Sequence, residues 1–321
     1  MTVRAGLDIG GTKTAALIID DDGRALSLVQ RPTNVSRPDR LVAGIVATID
    51  QALGQAGVGR ADVAAVGVGV PGQVDRDSGT VKLAVNLNLH EPFPLASALV
   101  VALGAPVTLE NDVRAAAWGA FHWARESRPL TSLAYLSIGT GISAGLILDG
   151  RLYRGAHGMA GEIGHMPLDA AGPRCVCGGY GCLEVFAAGP AIAAQAAAVF
   201  PAGAPTPDTQ QVYALAAAGD PLAGSIVARA AAYLARAVYL LVLSYDVECV
   251  VLGGGVSRSG EAFARPLRRA LAALRADSPL ALSMLSDEKV VVLPSDVNAG
   301  AVGAVYLADH NLNHIGTASR R

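Results

Sequence analysis

The sequence predicts a duplicated α/β fold, and three observations carry that prediction. First, the segment Leu7 to Asp20, LDIGGTKTAALIID, lies without a gap over Leu136 to Asp149, LSIGTGISAGLILD. Identities pair Leu7 with Leu136, Ile9 with Ile138, Gly10 with Gly139, Ala15 with Ala144, Leu17 with Leu146, Ile18 with Ile147 and Asp20 with Asp149. The offset of 129 residues is too long for a solenoid repeat and suits one supersecondary unit heading each of two domains. Second, short apolar strand patterns alternate with longer helical ones, as α/β layers require. Third, the chain has 321 residues, which at the usual ~150 each suits two domains or a single large one. Its 52% apolar and 16% charged residues exclude disorder by composition.

The elements follow in order. Leu7 to Asp20 reads as strand, glycine turn and second strand, ending in the hairpin chemistry of Asp-Asp-Asp-Gly. Arg40 to Ala56 has helical periodicity, and Ala64 to Val70 is a buried strand. Val107 to Leu109 is a further strand, followed by a helix over Val113 to Trp123. Leu136 to Asp149 repeats the hairpin. Alanine-rich helices follow at Ala191 to Phe200, Thr209 to Ala218 and Leu222 to Leu243. Val247 to Leu252 is a strand running into Gly253, Gly254 and Gly255, with a helix from about Gly260. The last helix, Asn298 to Leu307, carries Ala and Gly for close packing, and the remainder has no periodicity. Domain 1 is expected at 1–112, completed by the helix at 298–309. Domain 2 is expected at 113–297, and 310–321 is expected to be a disordered tail.

Charge and hydropathy exclude several classes of function. A net charge of -2, from 25 basic and 27 acidic side chains, supplies no field to hold a nucleic acid backbone. The mean hydropathy of +0.40 invites a test for membrane spans. Val185 to Pro207, uncharged throughout, is interrupted by Pro190, Pro201, Pro205 and Pro207, and Pro129 to Leu148 by Gly139, Gly141 and Gly145. Met1 to Gly11 shows no secretory signal, so a cytoplasmic location is expected. Cys175, Cys177 and Cys182 crowd together while Cys249 stands alone, which suits ligand thiols rather than a disulfide framework.

Glycine turns leave backbone N–H groups uncovered, so two such hairpins can present amide donors to an anion, with Thr12, Thr14, Thr140 and Ser143 adding hydroxyls. His165, Cys175, Cys177 and Cys182 offer one imidazole and three thiols, a full tetrahedral shell for a structural zinc. Glu162 and Glu184 flank these ligands, and carboxylates fixed by a metal clip can grip the hydroxyls of a polyol ring. Asp112, between a strand and a helix, is the candidate general base, although Asn111 or Asp112 could equally cap the helix. Asp8 could orient a hydrated magnesium ion or start a turn.

These residues sit in motifs that resemble the ROK family of sugar kinases, in the hexokinase and actin-like superfamily. The motifs are LDIGGTKT at Leu7 to Thr14, GVGVPG at Gly67 to Gly72, ENDVRAAAWG at Glu110 to Gly119 and SIGTGISAG at Ser137 to Gly145. GEIGH at Gly161 to His165, CVCGGYGCLE at Cys175 to Glu184 and VLGGGVS at Val251 to Ser257 complete the set. The resemblance covers Gly6 to about Leu307. It implies two actin-like (ribonuclease H-like) domains around an interdomain cleft, in which the γ-phosphoryl of ATP passes to a hexose hydroxyl, usually at carbon 6, with Mg2+.

By that resemblance Asp112 is the general base, and Gly72, Asn86, Asn111, Glu162, His165 and Glu184 hold the sugar, His165 also serving the zinc. Gly10, Gly11, Thr12, Lys13, Gly139, Thr140 and Gly141 line the phosphates, Asp8 sits beside them, and Gly254 and Gly255 meet the adenosine. The expected partners are a hexose, ATP and further copies of the chain in a homo-oligomer, with no nucleic acid and no membrane. One departure stands out. Many relatives carry a proline before the sugar-contacting asparagine and Pro-Gly-Trp after the next residue, whereas this chain has Val85-Asn86-Leu87-Asn88-Leu89-His90. Glucose is the expected substrate, with mannose, fructose, N-acetylmannosamine and N-acetylglucosamine as alternatives. A sugar-sensing regulator without catalysis is a remoter reading, since Leu7 opens the first hairpin with no room for a DNA-binding domain before it.

Overall fold

A computed structural model describes residues 1–201 and 205–318. The chain divides into two compact units, one of Met1–Pro129, Arg154–Gly158 and Asn298–Arg321, the other of Leu130–Tyr153 and Met159–Val297.

Unit 1 begins with β1 (Val3–Ile9), whose alternate residues Val3, Ala5, Leu7 and Ile9 are fully buried. The Gly10 N–H donates to Lys13 O at 2.8 Å, turning the chain into β2 (Lys13–Asp20), and β3 (Ala25–Pro32) follows antiparallel. Next comes α1 (Pro38–Ala56), which starts with the preset φ of Pro38 and buries Leu41, Ile45, Ile49 and Leu53 at four-residue spacing. β4 (Val63–Val70) pairs in parallel with β1. A small ribbon of β5 (Gln73–Asp75) and β6 (Thr80–Leu83) leads to α2 (Leu95–Leu103). Then β7 (Val107–Asn111) runs directly into α3 (Asp112–Arg125). The sheet order is β3-β2-β1-β4-β7.

Unit 2 repeats the plan with β8 (Leu133–Ile138), β9 (Ile142–Leu148) and β10 (Arg151–Tyr153). After the loop that bears the candidate metal ligands come α4 (Glu184–Ala187), α5 (Gly189–Val199), α6 (Thr209–Ala217) and α7 (Pro221–Tyr245). The unit closes with β11 (Val250–Gly253), α8 (Glu261–Asp277), α9 (Pro279–Met284) and β12 (Val290–Val292). Its sheet order, β10-β9-β8-β11-β12, is that of the first unit position for position. The duplication therefore extends past the two hairpins to the whole sheets.

Among the described residues, α7 alone is long and apolar enough to span a bilayer by length and composition. Its face of Ile226, Val227, Leu234, Val238 and Leu241 is instead packed in the core of the unit.

The chain returns to unit 1 as α10 (Ala299–Ala318), capped where Asn298 Oδ1 accepts from Ala301 N at 3.0 Å. The sequence reading put the domain boundary after Asp112; in the structure α3 belongs to unit 1. The cause is packing, because α10 and α3 cross so closely that a Cβ on Gly119 meets Ala299 O and one on Gly303 meets Ala115 O. The helix at 298–309 and the tail at 310–321 are also revised, since α10 continues to Ala318; residues 319–321 lie outside the described residues.

Candidate active site

In unit 1 the candidate base stands at a strand-to-helix junction. Asn111 is the N-cap of α3, its Oδ1 accepting from Val113 N at 3.1 Å and Arg114 N at 3.2 Å. Its Nδ2 donates to Gly72 O at 3.2 Å, which joins the 67–72 motif to the 110–119 motif. Capping is thus the work of Asn111, and Asp112 follows it with Oδ1 accepting from Val113 N at 2.9 Å. Burial raises the Asp112 carboxyl above the ordinary aspartate value, outweighing the hydrogen bond from Val113 and the charge of Arg114.

Behind the pair, Glu110 is 2% exposed and accepts from Arg114 Nε and Arg154 Nε, both at 2.7 Å. Glu110 Oε1 also accepts from Asn111 N at 3.0 Å. None of Glu110, Arg114 and Arg154 is marked by its place in the sequence as a partner of the others. The only available hint was an acid and a base four apart, Glu110 and Arg114, at the end of an apolar strand.

The first glycine turn is braced from one side by Thr33, whose Oγ1 donates to Gly10 O at 2.7 Å and lies 2.9 Å from Thr14 Oγ1. Asn86 also adjoins this turn, because a Cβ on Gly11 would lie 2.9 Å from Asn86 O. Thr12 and Lys13 are exposed at the turn. In the divergent loop Leu87 and Leu89 are buried while Asn86, Asn88 and His90 face outward, with His90 Nε2 3.0 Å from Asn88 Oδ1. Asp8 lies on β1 with its carboxylate against the first turn of α10, 2.5 Å from where a Cβ on Gly300 would be. Unit 1 thus gathers Asp8, Gly10 to Lys13, Gly72, Asn86, Asn111 and Asp112.

Unit 2 gathers the rest. Gly139 N donates to Gly141 O at 2.9 Å, closing the second turn, with Thr140 at its tip. Val256 N donates to Ile138 O at 2.9 Å, and Gly254, at φ +95°, lies against the Ile138 backbone where a Cβ would collide. The Gly254-Gly255 surface therefore adjoins the second turn. From the other direction Gly189 N donates to Gly139 O at 2.8 Å. Ala144 N donates to Gly161 O at 2.7 Å, which sets the segment of Glu162 and His165 alongside β9. Glu184, at the head of α4, accepts from Ile142 N at 3.0 Å.

His165, Cys175, Cys177 and Cys182 have ligand atoms all within 4.8 Å of one another. Cys175 Sγ lies 3.6 Å from His165 Nδ1, and Cys177 Sγ lies 3.6 Å from Cys182 Sγ. A tetrahedral zinc with Zn–S of about 2.3 Å and Zn–N of about 2.0–2.1 Å has S···S and S···N edges of roughly 3.8 and 3.5 Å. The cluster fits such an ion, and it uses Nδ1, leaving Nε2 of His165 for another partner. Burial, with the neighbouring thiols, pushes the Cys182 thiol up.

The model of the ROK family matches residues 4–311. A glucokinase of Thermotoga maritima is 32% identical over 313 residues, 94% of this chain and 96% of that protein. An N-acetylmannosamine kinase of Vibrio cholerae is 33% identical over 266 residues, 83% of this chain and 88% of that protein. Among solved structures, a ROK hexokinase from Thermus thermophilus superimposes with a TM-score of 0.77 at 34% identity, covering 97% of this chain and all of the other. A ROK family glucokinase from Streptomyces griseus, in complex with glucose and AMPPNP, gives 0.75 at 32% identity over 96% and 99% of the two chains.

Proposed function

This chain belongs to the ROK family, and from that premise we propose that it transfers the γ-phosphoryl of ATP to the 6-hydroxyl of a hexose, with glucose as the preferred acceptor. It is a sugar kinase, a phosphotransferase acting on an alcohol. The observation that carries the reading is Asp112, a carboxylate raised by burial and held at the head of α3 by a neighbour that does the capping. A base so placed takes the proton of the attacking hydroxyl as the new O–P bond forms and the bond between the γ-phosphorus and the β,γ-bridging oxygen breaks, releasing ADP.

Phosphoryl transfer asks mainly for positioning and electrostatic stabilisation. The turns at Gly10 to Lys13 and Gly139 to Gly141 supply backbone amides for the phosphates, and Gly254 and Gly255 a surface for the adenosine. Gly72, Asn86, Asn111, Glu162, His165 and Glu184 supply partners for the sugar hydroxyls. Magnesium would be held through its water shell by the hard carboxylate oxygens of Asp8 and would supply charge neutralisation at the phosphates. Zinc would be held by His165, Cys175, Cys177 and Cys182, would fix the loop between Glu162 and Glu184, and with four protein ligands would be structural rather than catalytic.

A second reading, an N-acetylmannosamine kinase, is favoured by the relative from Vibrio cholerae at similar identity and by the divergent loop at 85–90. Measurement of kcat/KM for glucose, mannose, fructose, N-acetylglucosamine and N-acetylmannosamine with Mg-ATP separates them. A preference for glucose above about tenfold supports the first reading, and a preference for the acylated amino sugar supports the second. Absence of turnover with every sugar would overturn both.

A further inference from the structure

Glu184 has a second attachment that a sugar-binding carboxylate does not need. Its Oε2 accepts from Ile142 N, the first residue of β9 and the first after the turn Gly139 to Gly141. A Cβ on Gly141 would lie 2.7 Å from that same oxygen, so glycine at 141 leaves the room in which the carboxylate sits. The neighbouring backbone is tied to the turn as well, through Gly189 N and Gly139 O at 2.8 Å. Two residues before Glu184, Cys182 belongs to the candidate metal-ligand group.

We propose that Glu184 is a positioning residue for the nucleotide as well as a sugar ligand: one carboxylate oxygen holds the second phosphate turn in its binding shape. The inference rests on the kinase reading and deepens it. A charge-assisted hydrogen bond from a backbone amide to a carboxylate is about twice as strong as a neutral one. It fixes the direction of β9 where it leaves the turn, and with it the N–H groups of Gly139 to Gly141. Without that acceptor, the turn must be ordered by the nucleotide itself, and ordering costs affinity. A carboxylate that served the sugar alone has no effect on nucleotide affinity when no sugar is present.

The test is calorimetric titration of a non-hydrolysable ATP analogue with magnesium, in the absence of hexose, into the full-length metal-loaded protein. Glu184→Ala is expected to weaken the analogue about five- to tenfold, the loss of one net hydrogen bond. Glu184→Gln retains a carbonyl oxygen able to accept from Ile142 N, at about half the strength of the charged acceptor, and is expected to recover part of the affinity, to within about threefold of the wild type, while hexose affinity falls in both variants. Glu162→Ala, which removes the other acid of the same loop, is expected to leave the analogue within about twofold. Zinc content by elemental analysis reports that the loop is intact in each variant. Unchanged analogue affinity in Glu184→Ala overturns the inference, as does a Glu184→Gln protein as weak as the alanine variant. Failure of the wild-type protein to phosphorylate any hexose, while it binds the analogue, refutes the kinase reading and leaves the turn contact standing.

Discussion

Arg154 Nε donates to Glu110 Oε2 at 2.7 Å, joining a residue just past β10 to the end of β7. The segment Arg154–Gly158 lies with unit 1 although both of its flanks belong to unit 2. Arg114 completes the attachment, pairing with Glu110 Oε1 and donating through Nη1 to Gly158 O at 2.7 Å. Burial alone would raise the Glu110 carboxyl, but the charges of Arg154 and Arg114 outweigh it and hold it below the ordinary value of 4.5.

Removing the acid therefore leaves the buried Arg114 guanidinium and the partly exposed Arg154 guanidinium without the carboxylate they share. Glu110→Ala is expected to lose about 3–5 kcal/mol of stability, the usual cost of breaking a buried pair from one side. Arg154→Met, with Arg114 still in place, is expected to cost less, about 1–3 kcal/mol. The depressed acid stabilises the fold above its unfolded value, and that contribution is lost as pH falls below about 4.5. Urea denaturation at neutral and acidic pH checks the sign: Glu110→Gln should show a shallower acid loss than the wild type, and an equal loss refutes the assignment.

Asp112 carries the opposite shift and the opposite expectation. A raised acid costs stability once pH passes above its unfolded value of about 3.8, because the fold then holds an ionised group in a poor environment. Asp112→Asn should therefore keep or raise the melting temperature while kcat falls by roughly 10²–10⁴ and hexose binding stays largely intact. In the wild type, kcat should fall on the acid side as the base is protonated, with an apparent pKa above 3.8. Near-normal turnover in the asparagine variant rejects Asp112 as the base.

The metal group can be examined without assaying the reaction. Cys177 is exposed whereas Cys175 and Cys182 are buried, so Cys177→Ser removes a candidate ligand with little loss of packing. The variant should carry less than about a tenth of the wild-type zinc by elemental analysis, melt earlier and bind hexose more weakly, because the loop from His165 to Glu184 loosens. Full metal content in Cys177→Ser excludes this cluster as the site.

Much of this arrangement was legible in the sequence where local pattern and long-range pairing agree. The hairpins at Leu7 to Asp20 and Leu136 to Asp149 repeat because each turn and each buried face is specified within fourteen residues. β3 was missed because Ala25–Pro32 is a largely exposed edge strand with only Val29 fully buried, and so lacks the alternation that marks β1. β12 was missed because three residues, all partly exposed, are too few for a pattern. The return of Arg154–Gly158 to unit 1 depends on two arginines meeting one glutamate, a contact no periodicity encodes. Glu184 stands beside the candidate metal ligands in the sequence, but its bond to Ile142 spans 42 residues and appears only once α4 is placed against β9.

The closeness of α10 to its neighbours gives a final pair of expectations with opposite signs. Gly67 on β4 faces Ala304 O, and Gly303 faces Ala115 O, in both cases so closely that a Cβ cannot fit without moving backbone. Close packing transmits such a displacement instead of absorbing it. Gly303→Ala is therefore expected to cost about 3 kcal/mol, despite the better helix propensity of alanine. Gly224, inside α7, has nothing within 4 Å of the position of an added Cβ. There only the propensity acts, so Gly224→Ala should stabilise the protein by roughly 0.5–1 kcal/mol. Denaturation of the two variants side by side decides the matter: a tolerated Gly303→Ala would mean that α10 and α3 can separate at no cost, contrary to the backbone contact that places α3 in unit 1.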